Sequence, residues 1–376
     1  MRGDAERWKR LDEAEVRRQK QKSVDELNND GYQLYCQCRY GQAAALFSQA
    51  ALLARQKGDL PAQCENLCWE GNCYSLDNQL KKSLACFLKA EQLKGLDAAT
   101  HFSNLMGLFF VAMNLHLPQA EIQSILDKLG PYKDTQQIGG SKSMVLSAEY
   151  YFLSFCNKDA EALAKAQEAF ASRIDGAPQC SDSAYFKNLV TAYRLNGQIP
   201  NAWATLRRWR KDGDTKFADT KHQQLMEELR LYCHEDKFDD AWDTLQRIKA
   251  EEQYLGRPGM YVDTLEWEIL IGTETGRMEQ VKPALGIFFK KYRNSEDLND
   301  RYICYKAFAC YCCASCHLVP PENRERMERH AEFWLKKAEQ MAGHLDGLMQ
   351  ATWRTEQIKK IHKDLKNISQ FLPVQL

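Results

Sequence analysis

Apolar residues recur along the chain with a period close to 40. Starting from Leu27, the same place is filled by Leu67, Met106, Leu146, Phe186, Leu225, Leu265 and Tyr305, and none of the eight is polar. Sixteen residues after each of the first seven leaders comes a second column of Ala43, Ser83, Ile122, Ala162, Ala202, Ala241 and Val281. A column at 20 holds Phe47, Phe87, Leu126, Ala166, Leu206, Leu245 and Leu285, and one at 23 holds Ala50, Ala90, Leu129, Ala169, Trp209, Ile248 and Phe288. Offsets of 16, 20 and 23 share one face of a helix. Near position 11 sit Asn78, Asn157, Gly197, Asp236 and Gly276, residue types that turn a chain. Each repeat thus predicts a helix A, a short turn and a helix B. Strand-like alternation is absent.

The eighth repeat needs ten extra residues before Ala331, Leu335 and Ala338 resume the columns. The insertion falls around Val319–Asn323, where Pro320 and Pro321 forbid continued helix. Beyond it, Leu345, Leu348, Met349, Trp353, Ile358, Ile361, Leu365 and Ile368 predict an amphipathic C-terminal helix with Lys359, Lys360, Lys363 and Lys366 on its wet side. A stack of repeats needs such a cap, because its last member otherwise exposes an apolar face. At the other end, residues 1–22 are densely charged and read as a capping helix or a disordered, partner-binding arm. The plan is an arm over 1–22, a repeat array over 23–338 and a capping helix over 339–376.

The spacing resembles the tetratricopeptide repeat (TPR). Repeats 1 and 2 carry the resemblance best, through Leu27, Gly31, Ala43, Phe47 and Ala50, then Leu67, Gly71, Tyr74, Phe87 and Ala90. Repeat 5 keeps Tyr193 and Ala202, and repeat 6 keeps Tyr232 and Ala241. No leader is Trp, and the period exceeds the usual ~34 residues, which implies helices longer by roughly a turn and a half. The resemblance implies an all-α, right-handed solenoid of about eight antiparallel helix pairs, a TPR-like superhelix. It also implies that the A helices line a concave surface at positions one, five and eight past the leader.

Those positions supply the candidate groove: Tyr32 and Tyr35, Asn72, Tyr151, Lys187 and Arg194, and Arg230. Tyrosines and amides suit an extended peptide, and guanidinium groups suit a carboxylate. The expected partner is a protein or extended peptide with an acidic group near Arg194 and Arg230; the alternative is a set of solvated helix faces. The family's chaperone-tail clamp places a Lys and an Asn where this chain has Asn28 and Tyr32, so only Asn72 fits it and that partner is disfavoured.

Charge and composition narrow the classes further. With 51 basic and 51 acidic residues, no bulk attraction to nucleic acid or anionic lipid is expected. The most apolar stretch, Phe102–Leu117, is broken by polar residues and ended by Pro118, too short to span a bilayer. The N-terminal stretch lacks the apolar core of a secretory signal. A cytoplasmic location follows as the expectation, with the 14 cysteines as reduced thiols.

Cys313, Cys316 and His317 match the C-x-x-C-H pattern of haem attachment, and Cys310 and Cys312 bring a metal to mind. The register instead places this stretch on helix A of repeat 8, so no cofactor is expected. His234, Glu235, Asp236, Asp239 and Asp240 fall at a turn. Trp203, Arg207, Arg208, Trp209, Arg210 and Lys211 mix aromatic and basic groups as an RNA surface does, but Trp209 sits in a packing column. No nucleotide-binding or hydrolase motif occurs. The chain reads as a non-enzymatic protein- or peptide-binding scaffold. A peptide-responsive regulator that changes curvature and an RNA-binding repeat protein are the alternatives.

Overall fold

The structure, a computed structural model, describes residues 22–135, 138–174, 182–213, 219–254, 262–295, 297–316 and 318–370. Among the described residues there are 17 α-helices and no strand. Helix pairs α1 (Val24–Cys36) and α2 (Tyr40–Lys57), α3 (Leu60–Leu76) and α4 (Leu80–Glu91), and α5 (Ala98–Asn114) and α6 (Gln119–Leu129) form repeats 1 to 3. Repeats 4 to 6 are α7 (Ser141–Phe155) and α8 (Asp159–Ser172), α9 (Asp182–Leu195) and α10 (Ile199–Asp212), and α11 (Thr220–His234) and α12 (Phe238–Tyr254). Repeats 7 and 8 are α13 (Val262–Glu274) with α14 (Met278–Tyr292), and α15 (Leu298–Ser315) with α16 (Pro321–Met349); α17 (Trp353–Gln370) follows. The chain is an all-α solenoid. It divides into two compact units, one ending at Val111 and the other beginning at Ala112. The N-terminal arm call falls mainly on residues 1–21, outside the described residues.

Burial follows the register. Seven of the eight leaders are buried; Tyr305 is half-buried and stacks on Trp334 at 5.8 Å. Every member of the columns at 16, 20 and 23 is buried, as are Ala331, Leu335 and Ala338. Small residues in the first column let helices A and B approach, and the larger ones fill the space between repeats. In repeat 5, for example, Phe186, Val190, Ala202, Leu206 and Trp209 enclose Leu231 from the next helix A. Glycines serve the same packing in the first unit: a Cβ at Gly71 would lie 2.8 Å from the Phe87 ring, and one at Gly107 only 2.0 Å from it.

All seven A–B turns, in repeats 1 to 7, use one device. A single residue adopts positive φ, and the next N–H donates five residues back, as Arg39 does to Leu34 and Gln79 to Tyr74. The left-handed residues include the predicted Asn78, Asn157, Gly197, Asp236 and Gly276. They also include Cys38 and His116, which carry no turn signature.

The C-terminal stretch is not continuous helix. Gln350 at φ 51° ends α16 in the left-handed region, and Thr352 and Glu356 begin α17. Leu345, Ile358 and Leu365 are buried in the core of repeats 7 and 8.

Within the second unit, distant ends also meet. His116 Nε2 lies 3.5 Å from Asp297 Oδ1, and its ring lies 5.2 Å from that of Phe155. Arg354, 1% exposed, stands over the same Phe155 ring at 5.3 Å and reaches Asp346 at 3.3 Å. Among the described residues, no helix is long and apolar enough to cross a membrane.

Candidate partner-binding surface

A carboxylate three residues past the leader recurs in five repeats: Asp30, Glu70, Glu149, Glu228 and Glu268. The last three reach cations on B helices or the link before α7. Glu149 pairs with Lys133 and Lys165, Glu228 with Arg210 at 2.8 Å and Arg247 at 3.1 Å, and Glu268 with Lys249 at 2.7 Å. Because Glu228 and Glu268 are buried, these pairs hold successive repeats in register and remain weakly screened by salt. The column was readable in the sequence as a periodic acid on an otherwise apolar face.

The opposite side of the A helices carries the candidate site residues. In the first unit, Tyr32 and Tyr35 are half-buried and stack at 6.3 Å, with Trp69 of α3 edge-on to both at 5.4 and 5.2 Å. Asn72 lies one turn beyond Trp69 and is half-buried. Trp69, two residues past its leader, was missing from the predicted set, although it joins the two tyrosines into one aromatic ridge.

In the second unit, Tyr151 donates a hydrogen bond to Asn188 at 2.6 Å. Arg194 Nε lies 3.8 Å from Glu227 Oε2, while Arg230 donates to Glu227 at 2.5 Å and to Asp263 at 2.7 Å. Both arginines therefore already face an in-chain carboxylate. Burial alone would raise Glu227, but the charges of Arg230, Arg194 and Lys187 hold its pKa below the ordinary value. Burial pushes Arg194 down; for Arg230 the carboxylates outweigh burial and the direction is up. Asp263 was missed because it meets Arg230 from 33 residues away, and Glu227 because, although three residues from Arg230, it also faces Arg194 on the preceding A helix.

A pocket of about 270 Å³ opens beside this network. It is lined by Lys187, Met226, Glu227, Arg230, Val262 and Asp263, with Asp219, His222 and Gln223 at the start of α11. Apart from Asp219, which immediately precedes α11, these residues lie on α9, α11 and α13, the A helices of three successive repeats. The structure thus gathers Lys187 and Arg230 in one concavity, with Arg194 behind Glu227. Tyr151 stands one helix away, and Tyr32, Tyr35 and Asn72 belong to the first unit.

The cysteine-rich stretch is packed helix. Cys304, Cys312, Cys313 and Cys316 are buried, and burial pushes the Cys304 and Cys312 thiols up to about 12 and those of Cys310 and Cys316 to about 11. That direction suppresses thiolate chemistry. His317 lies outside the described residues. Trp209 is fully buried and Arg210 is bound to Glu228, so neither offers a nucleobase a free face.

Helix pairs in a 40-residue register, with a polar face along their A helices, define a TPR-like helical repeat protein. Among solved structures the chain is similar to the APC/C hetero-tetramer Cut9–Hcn1, with a TM-score of 0.41, 9% identity, and coverage of 89% of this chain and 82% of that one. It is also similar to the TPR domain of P58(IPK), with a TM-score of 0.23, 13% identity, and coverage of 90% and 98%. The class rests on register and helix pairing, and neither likeness bears on partner or activity. No protein-family model matches the chain. No curated protein matches it either.

Proposed function

We propose that the chain is a non-enzymatic scaffold that grips an extended segment of a partner protein along its A helices. The observation that carries this reading is the pocket built from three successive A helices, into which Lys187 brings a charge that acts on the buried Glu227 only from beyond ion-pair distance and makes no hydrogen bond among the described residues. An acidic group of the partner would satisfy it. The aromatic ridge of Tyr32, Tyr35 and Trp69 supports the same use of the first unit, since rigid rings give contact area at low entropic cost. A peptide-responsive regulator is favoured by one further feature. Arg230 joins α11 to α13, so a ligand touching it alters how neighbouring repeats are held.

Lys187→Glu is the informative variant, because Arg194 and Arg230 hold a buried carboxylate and their loss would disturb the fold. Capture of partners from the native cell should fall at least tenfold with Lys187→Glu relative to the unaltered protein. Undiminished capture would sink the reading of this pocket.

A further inference from the structure

Arg230 makes two contacts of unequal permanence. Its Nη1 holds Glu227 on its own helix, a side chain 1% exposed, and its Nη2 holds Asp263 at the start of α13, a side chain 46% exposed. A buried charge partner cannot leave without stranding its mate, whereas a half-exposed carboxylate rotates into water at little cost. Asp263 is thus the exchangeable member. Lys187 lines the same pocket and, among the described residues, is not engaged by any carboxylate at ion-pair distance.

We propose that Asp263 is an internal stand-in for a partner's carboxylate. An incoming peptide places one carboxylate between Lys187 and the Nη2 of Arg230, and Asp263 turns out into solvent. The inference rests on the A-helix reading above and adds the exchange to it. Glu227 and Asp219 also line the pocket, so a singly charged carboxylate suits it better than a phosphate dianion, which like charges would repel. Binding then releases the strap between α11 and α13, and Asp263 sets the affinity by competing for the same donor.

The test uses the full chain and three hexapeptides labelled at the N-terminus with dansyl, a fluorophore without a carboxylate, and read by anisotropy. One alternates Ala and Glu with an amidated C-terminus, one alternates Ala and Gln with a free C-terminus, and one alternates Ala and Gln with an amidated C-terminus. Asp263→Ala should bind at least one carboxylate-bearing peptide about tenfold tighter than the unaltered chain, and Lys187→Ala about tenfold weaker. The first two arms tell a side-chain carboxylate from a terminal one, and the third should show no gain. Asp263→Asn, nearly isosteric, should move affinity in the same direction and guards against an effect of truncation on folding.

The exchange is overturned if Asp263→Ala and Asp263→Asn bind no tighter than the unaltered chain. It is equally overturned if neither binds a carboxylate peptide at millimolar concentration. If that happens while Lys187→Glu still abolishes partner capture, only the exchange is wrong. If Lys187→Glu is also without effect, the reading of the pocket falls with it.

Discussion

Replacing Gly107 by Ala tests the packing logic of the first unit against helix propensity. Ala is favoured over Gly inside a helix by about 1 kcal/mol, so on propensity alone the substitution in α5 stabilises. The added Cβ, however, would lie 2.0 Å from Cε1 of Phe87, far inside any real carbon contact. The ring has little room to retreat, because its other edge already lies where a Cβ at Gly71 would come within 2.8 Å. Overpacking of this kind costs about 1–3 kcal/mol or more, and expelling the ring would approach the roughly 3–5 kcal/mol expected for Phe→Ala at a buried site. The net expectation for Gly107→Ala is a loss of about 2 kcal/mol. Urea unfolding followed by circular dichroism measures it. Phe87→Leu should relieve the clash, so the double substitution should cost at least about 1 kcal/mol less than the sum of the single ones. A Gly107→Ala protein as stable as the parent, or strict additivity, would refute the placement of Phe87 between α3 and α5.

Other expectations concern charge, turns and thiols. Glu227 is held below its unfolded value, so its contribution is complete above about pH 4.3 and disappears as pH falls through the depressed folded value. Glu227→Gln should therefore cost about 3–5 kcal/mol at pH 7 and progressively less below pH 4, read from urea midpoints across that range. Asp236→Gly should stabilise by about 0.5–1 kcal/mol in thermal unfolding, since Asp236 is exposed and its φ of 56° strains any L side chain. Cys304 and Cys312, buried and pushed up to about 12, should alkylate at pH 7.5 at least a hundredfold more slowly in the native protein than in urea, followed by mass spectrometry.

Much of the fold was legible because a repeat states its own pattern many times. Leu27, Phe47 and Ala50 mean little alone, yet their counterparts through Ala338 prove buried at every place but the half-buried Tyr305. Turns were legible only where the residue type advertises positive φ. Asn78 and Gly197 did so; Cys38 and His116 adopt the same conformation because flanking helices impose it. The break at Gln350 was hidden for the same reason, since apolar periodicity runs on through it. The site was half legible. Helical spacing put Lys187 and Arg230 on one face, but the carboxylates that already engage Arg230 come from the same helix and from one more than 30 residues away. Chemistry of that kind depends on which side chains meet, and a register of apolar positions does not encode it.

The meeting of His116 and Phe155 with Asp297 and Arg354 bears on how the second unit folds. In an open stack each repeat leans only on its neighbours, and an end can fray without consequence elsewhere. Here residues nearly two hundred positions apart close a loop whose entropy local pairing never has to meet, so this contact should form late and slow the folding of the unit. Once made, it clasps α17 to the C-terminal end of α7. Hydrogen exchange should then find α17 protected nearly as well as α7, with both released in one cooperative opening rather than by unzipping from the C-terminus.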